Sequence, residues 1–250
     1  MMKKKKVVIG AVAAVVLLGG AGAYAMYDSF TGNNKEIKSV IGTESAATNS
    51  AAGTNSSGSG STNSTSGTET AAAGAVADVN GAWTIDSSSN VYFSVTTSRE
   101  TVNFEVNGVT GTWNVDTADA AANAADASLD MNVLDSGNSQ RDGHVKEADF
   151  LDVTNFPSSR FKATKFEALP TEVKDGETFP LIMTGDLTIK GITKEVTFTG
   201  QAAYSGGKLN VESETVVTFE EFGMQNPHNV VMDTENNVTV QLRLTLSQNA

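Results

Sequence analysis

From Val238 to Leu246 every second residue is a large aliphatic: Val238, Val240, Leu242, Leu244 and Leu246 fall on one side, and Thr239, Gln241, Arg243 and Thr245 on the other. Side chains leave a strand alternately to its two faces, whereas a helix would spread this pattern around its circumference. The segment is therefore read as a strand with one wet and one dry face. The same period governs Val91-Phe93-Val95, Val102-Phe104-Val106, Trp113-Val115, Leu129-Met131-Val133, Leu187-Ile189, Val196-Phe198, Leu209-Val211 and Val217-Phe219. Turn signals separate these runs: Asn107-Gly108, Ser136-Gly137, Asp175-Gly176, Lys190-Gly191 and Gly206-Gly207. None of the four prolines interrupts an alternating run, so no strand is relegated to an edge on that account.

At least eight such strands within residues 81–250 leave two all-β architectures, a sandwich or a closed barrel. An eight-stranded barrel encloses space that side chains fill or that one small ligand occupies. Two stretches break the rhythm. Residues 117–128 are Ala-rich with several Asp and read as a loop or the approach to a strand. Residues 139–152 read as a short helix, placed to close one end.

The N-terminal third obeys different rules. Lys3 to Lys6 precede an uncharged apolar run from Val7 to Tyr27. About 20 apolar residues suffice for a helix to cross a bilayer, and lysines on the N-terminal side hold that side in the cytoplasm. Residues 1–30 are thus expected to be a single-pass anchor in the cell membrane, with the C-terminal part extracytoplasmic. Tyr24 and Tyr27 stand where an interfacial belt would lie. Ala23-Tyr24-Ala25 also reads as a signal-peptidase site, so secretion after cleavage near Ala25 is the alternative. Residues 31–80 are expected to be a disordered linker. From about Gly42 to Asn80 they are nearly all Ser, Thr, Ala, Asn and Gly, too poor in apolar surface to offset chain entropy. A coil of that length spans about 35 Å on average, enough to lift a domain off a membrane.

The chain contains no cysteine, which removes disulfides, thiolate metal sites and thiol catalysis. Of its 17 basic and 29 acidic residues, six and five lie in residues 1–78, leaving 11 against 24 from residue 79 onward. A domain so acidic repels phosphate backbones and anionic headgroups, which argues against a nucleic-acid partner.

Several motifs carry a family resemblance. Arg141-Asp142-Gly143-His144-Val145-Lys146-Glu147-Ala148-Asp149-Phe150-Leu151-Asp152 resembles the R-D-x-H-L-[KR]-x-x-D-F-[FL]-D segment of the YceI-like family. Phe156-Pro157-Ser158-Ser159-Arg160-Phe161 is similar to its Y-P-x-x-x-F, and the stretch from Gly185 to Lys194 to its G-x-L-T-[IL]-x-G-[VI]-T-K. Phe222-Gly223-Met224 resembles its late F-G-M, and Gly81-Ala82-Trp83-Thr84-Ile85-Asp86 its first strand. The blocks follow in order over nearly all of residues 81–246. One departs: the family often has His-Ser after that Asp, where this chain has Ser87-Ser88-Ser89-Asn90. The resemblance implies an extended, eight-stranded antiparallel, lipocalin-like barrel with a short helix near one end. It also implies an exported binding protein, with no catalysis and no cofactor, whose interior takes a polyisoprenoid or similar long-chain lipid.

Candidate ligand-binding residues are of two kinds. Arg141, Asp142 and His144 form the one polar cluster, and an Arg suits the head of a lipid at a barrel mouth. The competing reading has Ser139 and Asp142 capping the helix while Arg141 pairs with a carboxylate, and it is favoured. Phe93, Phe104, Trp113, Phe161, Phe198 and Phe219, with Phe166, are candidates to line a cavity or simply to fill a core. Asp142, His144, Asp149 and Asp152 lack metal-site spacing, so no metal is expected. His228 sits in a loop without the partners of a triad. The expected partners are a long-chain isoprenoid or fatty lipid and, through residues 1–30, the membrane, with a homodimer left open. The alternatives are a tethered interaction module with a filled barrel, and an enzyme using Arg141, Asp142 and His144.

Overall fold

Alternation of the observed kind buries one face of every strand, and a twisted sheet with such a face satisfies its edges by closing. The computed structural model describes residues 34–42, 74–167, 169–227 and 233–249. Their strands are β1 (Val76–Ala77), β2 (Gly81–Ile85), β3 (Asn90–Thr97), β4 (Thr101–Val106), β5 (Val109–Val115), β6 (Ala124–Asp130), β7 (Ser158–Phe166), β8 (Val173–Lys174), β9 (Thr178–Ile189), β10 (Ile192–Ser205), β11 (Lys208–Thr218) and β12 (Thr234–Gln248). All except β1 and β8 join one antiparallel sheet, which closes through β11 and β12. β2 with β3, and β4 with β5, are two broken staves of one long hairpin: Gly81 faces Val115, and Val91 faces Val106. β12 spans both halves, pairing with β3 along its first part and with β2 at Leu246 to Gln248. Counted as staves the barrel has eight, as expected.

Where the first stave breaks, at residues 86–89, the ladder is patched. Asp86 N–H donates to the Thr245 carbonyl at 2.8 Å, and the buried Ser89 hydroxyl accepts from Thr245 N–H at 3.0 Å. The departure from the family motif thus lies in the patch. Asp86 itself accepts from Lys208 Nζ and Ser247 Oγ; the Lys208 ammonium, then the Ser247 hydroxyl, hold its carboxyl below the ordinary range.

The turn chemistry sharpens two readings. Lys190 and Gly191 have φ of 51° and 74° in a two-residue turn of the type that matches strand twist. Ile189 faces Ile192 with no bulge, so the turn signal read there is a tight two-residue hairpin. The Lys190 ammonium donates to the carbonyls of Ala148 and Gly223 and so ties the turn to the segments beside it. Leu129-Met131-Val133, read as strand, is strand only to Asp130. That carboxylate accepts the N–H of Asn132 at 3.0 Å and starts a single 3-10 turn over Met131–Val133. Pro180 does lie within β9, but β7 pairs with β9 only from Met183 onward, so the face that lacks an N–H needs no partner.

The barrel has two distinct ends. The upper carries the β3–β4 turn, the Lys190-Gly191 turn and helix α1 (Ser139–Val145); the lower carries the Gly206-Gly207 turn and the β1–β8 ribbon. Within the span 31–80, residues 34–42 lie against the outside of β4, β3 and β11, and residues 74–80 lead into β2 at the lower end. The expected anchor, the site at Ala25, and His228 fall outside the described residues. Among the described residues no helix is long and apolar enough to cross a membrane.

Candidate functional site

Three apolar chambers follow one another along the barrel axis, with volumes of about 80, 20 and 10 Å3, so the upper one holds most of the free space and the lower two are narrow gaps between side chains. The upper chamber lies under α1 at the upper end; Phe93, Val95, Phe104, Val217, Phe219 and Val238 line it. The middle one is bounded by Val91, Trp113, Leu129, Phe161, Phe198 and Leu242, and the lower by Val115, Phe166, Leu181, Ala202 and Val211. Phe93, Ile189 and Val240 border both upper and middle chambers and form a neck between them; Trp113 does the same between middle and lower.

The length of this path follows from strand geometry. The upper two chambers are lined along β12 from Thr234 to Leu244. Ten steps of about 3.3 Å, inclined at about 40° to the barrel axis, advance about 25 Å. That is the length of a chain of about 20 carbons at about 1.3 Å per zigzag bond.

All seven aromatics singled out in the sequence line a chamber, Phe166 the lower one. Phe93, Phe104 and Phe219 stand in the upper chamber, and Trp113, Phe161 and Phe198 in the middle one. Phe161 meets Phe198 edge to face at 5.0 Å between ring centres, and Trp113 meets Phe166 at 5.9 Å, arrangements that fix the rings. The two tryptophans differ in a telling way. Trp83 Nε1 donates to the Val79 carbonyl at 2.9 Å. The buried Nε1–H of Trp113 has no hydrogen-bond partner among the described residues.

The polar cluster is not assembled as a unit. Asn138, rather than Ser139 or Asp142, caps α1, accepting from the N–H of Gln140 and Arg141 at 3.1 and 3.2 Å. Asp142 turns to Ser136, taking its N–H at 2.8 Å and its hydroxyl. Arg141 is buried and reaches the upper chamber. Its Nε donates to Ser136 Oγ and an Nη to the Ser136 carbonyl, both at 2.8 Å, and its guanidinium carbon lies 5.8 Å from the centre of the Phe104 ring. Ser136 is thus among the groups that hold the guanidinium. Burial pulls the Arg141 pKa down from its ordinary value, while Asp142 and Glu100 oppose that shift. His144 faces outward, 3.3 Å from Glu147 through Nδ1 and against the Phe150 ring. Arg141 is therefore the one member of the trio beside the cavity.

Sequence reasoning missed the upper chamber's cover. Met131, Leu134, Val145, Phe150, Leu151 and Met224 form it. The signal was present in Val145, Phe150 and Leu151, apolar residues inside a segment read chiefly for its charges. No group of three or more His, Cys, Asp or Glu suited to a metal ion occurs among the described residues.

A closed eight-stave antiparallel barrel with an apolar axial cavity is the architecture of the lipocalin-like binding proteins. Residues 83–246 match the YceI-like domain, and the chain belongs to that family. It is 30% identical over 121 residues to "Protein YceI" of Shigella flexneri, an alignment covering 46% of this chain and 59% of that one. It is likewise 30% identical over 123 residues to a UPF0312 protein of Pseudomonas putida, covering 47% and 60%. The chain thus spans about six-tenths of the length of these curated relatives. Among solved structures the fold matches Burkholderia cenocepacia BcnA, with a TM-score of 0.56 and 19% identity over 64% of this chain and 98% of that one. A polyisoprenoid binding domain from Saccharophagus degradans matches with a TM-score of 0.56 and 12% identity, over 67% and 98%.

Proposed function

We propose that this chain binds one long-chain apolar lipid, a polyisoprenoid or fatty chain, lengthwise inside its barrel, and that it does so outside the cytoplasm as a carrier or store. The observation that carries this reading is the row of apolar chambers along the axis, about 25 Å for the upper two alone. A compact charged substrate would find little in that wall to pair with besides Arg141, whereas a flexible apolar chain that parts the side chains along the axis would meet apolar surface throughout. Each buried methylene contributes about 0.8 kcal/mol, so affinity comes from length rather than from many polar contacts. The polyisoprenoid binding domain sharing the fold supports the ligand class. Lys3 to Lys6 ahead of the apolar run support export, and residues 1–30 are read as a retained anchor, with secretion after Ala25 as the other outcome. The chain is read as a binder and not an enzyme, because Asp142 is engaged by Ser136 and His144 faces Glu147, away from the chamber that Arg141 lines.

Trp113 supplies the test. In Trp83→Phe the tunnel tryptophan is the single indole, since the chain has two. Titration with a polyene fatty acid quenches its fluorescence saturably at one equivalent if the chain enters the middle chamber. An unchanged spectrum from a folded protein overturns the reading.

A further inference from the structure

Residues 34–42 are held to the barrel by more than proximity. The Asn34 side chain donates to the Thr101 carbonyl and accepts the N–H of Asn103 at 2.7 Å, and the Asn103 amide donates to the Lys35 carbonyl at 2.8 Å. The Lys35 ammonium pairs with Asp135 and lies 3.8 Å from Glu105. At the other end one oxygen of Glu212 accepts from Ser39 Oγ, Val40 N–H and Ile41 N–H at 2.5, 2.7 and 3.0 Å. Ile41 is buried, as are Tyr92 and Ala203, yet none of the three belongs to the interior core. They mark a second apolar contact, on the outer wall.

The direction of this segment matters. Thr101 opens β4 directly after the upper turn, and Thr97 across that turn faces Thr234 of β12. Glu212 faces Arg243, which faces Asn90 at the start of β3. The chain therefore enters at the upper rim and runs downward. Only residues 28–33 separate Asn34 from the apolar run ending at Tyr27, a reach of about 25 Å when fully extended. The described residues on either side of 43–73 both lie on the barrel: Ile41 N–H is held by Glu212, and Ala75 accepts from Asp175 N–H at the lower end. The upper rim also carries exposed apolar side chains. Phe156 and Ile192 are 36% and 37% exposed, one against the Lys190-Gly191 turn and one immediately after it.

We propose that residues 34–42 are a strap that clamps the barrel with its upper, chamber-bearing end turned toward the bilayer holding residues 7–27, so that lipid passes between that bilayer and the upper chamber at short range. The proposal rests on the anchor and the lipid ligand of the preceding reading. Phe156 and Ile192 are the groups placed to meet the bilayer surface, and the acidic remainder of the domain stays away from it.

The absence of native cysteine makes the test direct. Ser98→Cys places a label at the exposed upper turn and Asp175→Cys one at the exposed lower end. Full-length chain is reconstituted in phosphatidylcholine vesicles containing spin-labelled lipid, and quenching is compared at the two positions. The strap predicts severalfold stronger quenching at position 98. It also predicts that this difference collapses when Asn34→Ala and Glu212→Ala are combined. Equal quenching in a chain that floats with the vesicles overturns the strap, as does a difference that survives the double substitution. A chain that does not float overturns the proposal through its anchor. Asymmetric quenching without quenching of Trp113 by added polyene lipid overturns it at the lipid step.

Discussion

Val240 sits in the neck between the upper and middle chambers, facing Phe93 and close to Ile189 in the cavity wall. Val240→Phe adds a ring at that constriction and closes the lower path to a bound chain. The lost path can be estimated. From Val240 to Leu244 is four strand steps, about 10 Å along the axis at about 3.3 Å per step and 40° tilt. That is room for about 8 carbons. Their gross burial is worth about 6 kcal/mol at 0.8 kcal/mol per methylene, and about 2 kcal/mol at the lower efficiency typical of whole ligands. Affinity for a long chain should fall at least about thirtyfold. A short chain that stays in the upper chamber should lose little. The informative assay is affinity against chain length by titration calorimetry. The native barrel should gain steadily with each added carbon until the tunnel is full, and the variant should stop gaining about 8 carbons earlier. The neck holds little free space, so the added ring should cost about 1–3 kcal/mol of stability, and thermal unfolding checks this. Ile189→Phe closes the same neck from the opposite wall and should shift the plateau equally. Unmoved plateaus in both folded variants would refute the axial path.

Other consequences concern stability. Gly185→Ala would place a Cβ 2.3 Å from the Lys162 carbonyl oxygen and 2.6 Å from Ala163 Cα, so urea unfolding should show a loss above about 3 kcal/mol. Gly143→Ala, in open space on α1, should instead stabilise by about 0.5–1 kcal/mol; similar effects from both would contradict the geometry. Trp83→Phe deletes a made hydrogen bond and should cost about 1–3 kcal/mol, whereas Trp113→Phe removes an unpartnered N–H and should cost less. The strap should respond to pH. The Lys35 partner holds the Asp135 carboxyl low; at Glu212 burial pushes upward, but Ile41 N–H, Ser39, Val40 N–H and Arg243 outweigh it. Both folded values lie below the unfolded ones, so their contribution is complete above the ordinary carboxylate range and fades as pH falls through the depressed values. Amide-exchange protection of residues 34–42 should therefore weaken toward about pH 3 while the β9–β10 ladder stays protected; constant protection would exclude the ionic clamp. The Tyr92 hydroxyl, pushed up to about 12 by burial and then by its bond to Glu105, should stay protonated in a spectrophotometric titration through the ordinary tyrosine range.

The closed barrel was legible because alternation is local and repeated. Val91, Phe93 and Val95, like Val238 through Leu246, declare a dry face whatever their partners are, and eight staves with dry faces have few ways to pack. What alternation does not express is how much of the interior is filled. Phe161 and Phe198 obey the same period whether they meet over a void or in a solid core, so the chambers became visible only once the strands were placed. The polar site was harder for another reason. Arg141, Asp142 and His144 lie within one short helix, and which of them faces the cavity depends on Asn138 starting that helix and Ser136 engaging both Arg141 and Asp142. The strap was hidden because its recognition is long-range. Glu212 lies far along the chain from the N–H groups it accepts, and the Asn34-Lys35-Glu36 stretch has no periodicity to announce a docking site.

The central claim is that one lipid chain lies inside each barrel, and native mass spectrometry weighs that complex directly. Protein purified in a non-exchanging detergent, or barrel incubated with a long-chain polyprenol, should carry one added lipid mass per chain. That mass should disappear after organic extraction and return on incubation with lipid, and Val240→Phe should reduce its occupancy. A folded barrel that stays at its bare polypeptide mass through purification, extraction and incubation with saturating polyprenol and fatty acid would contradict the claim.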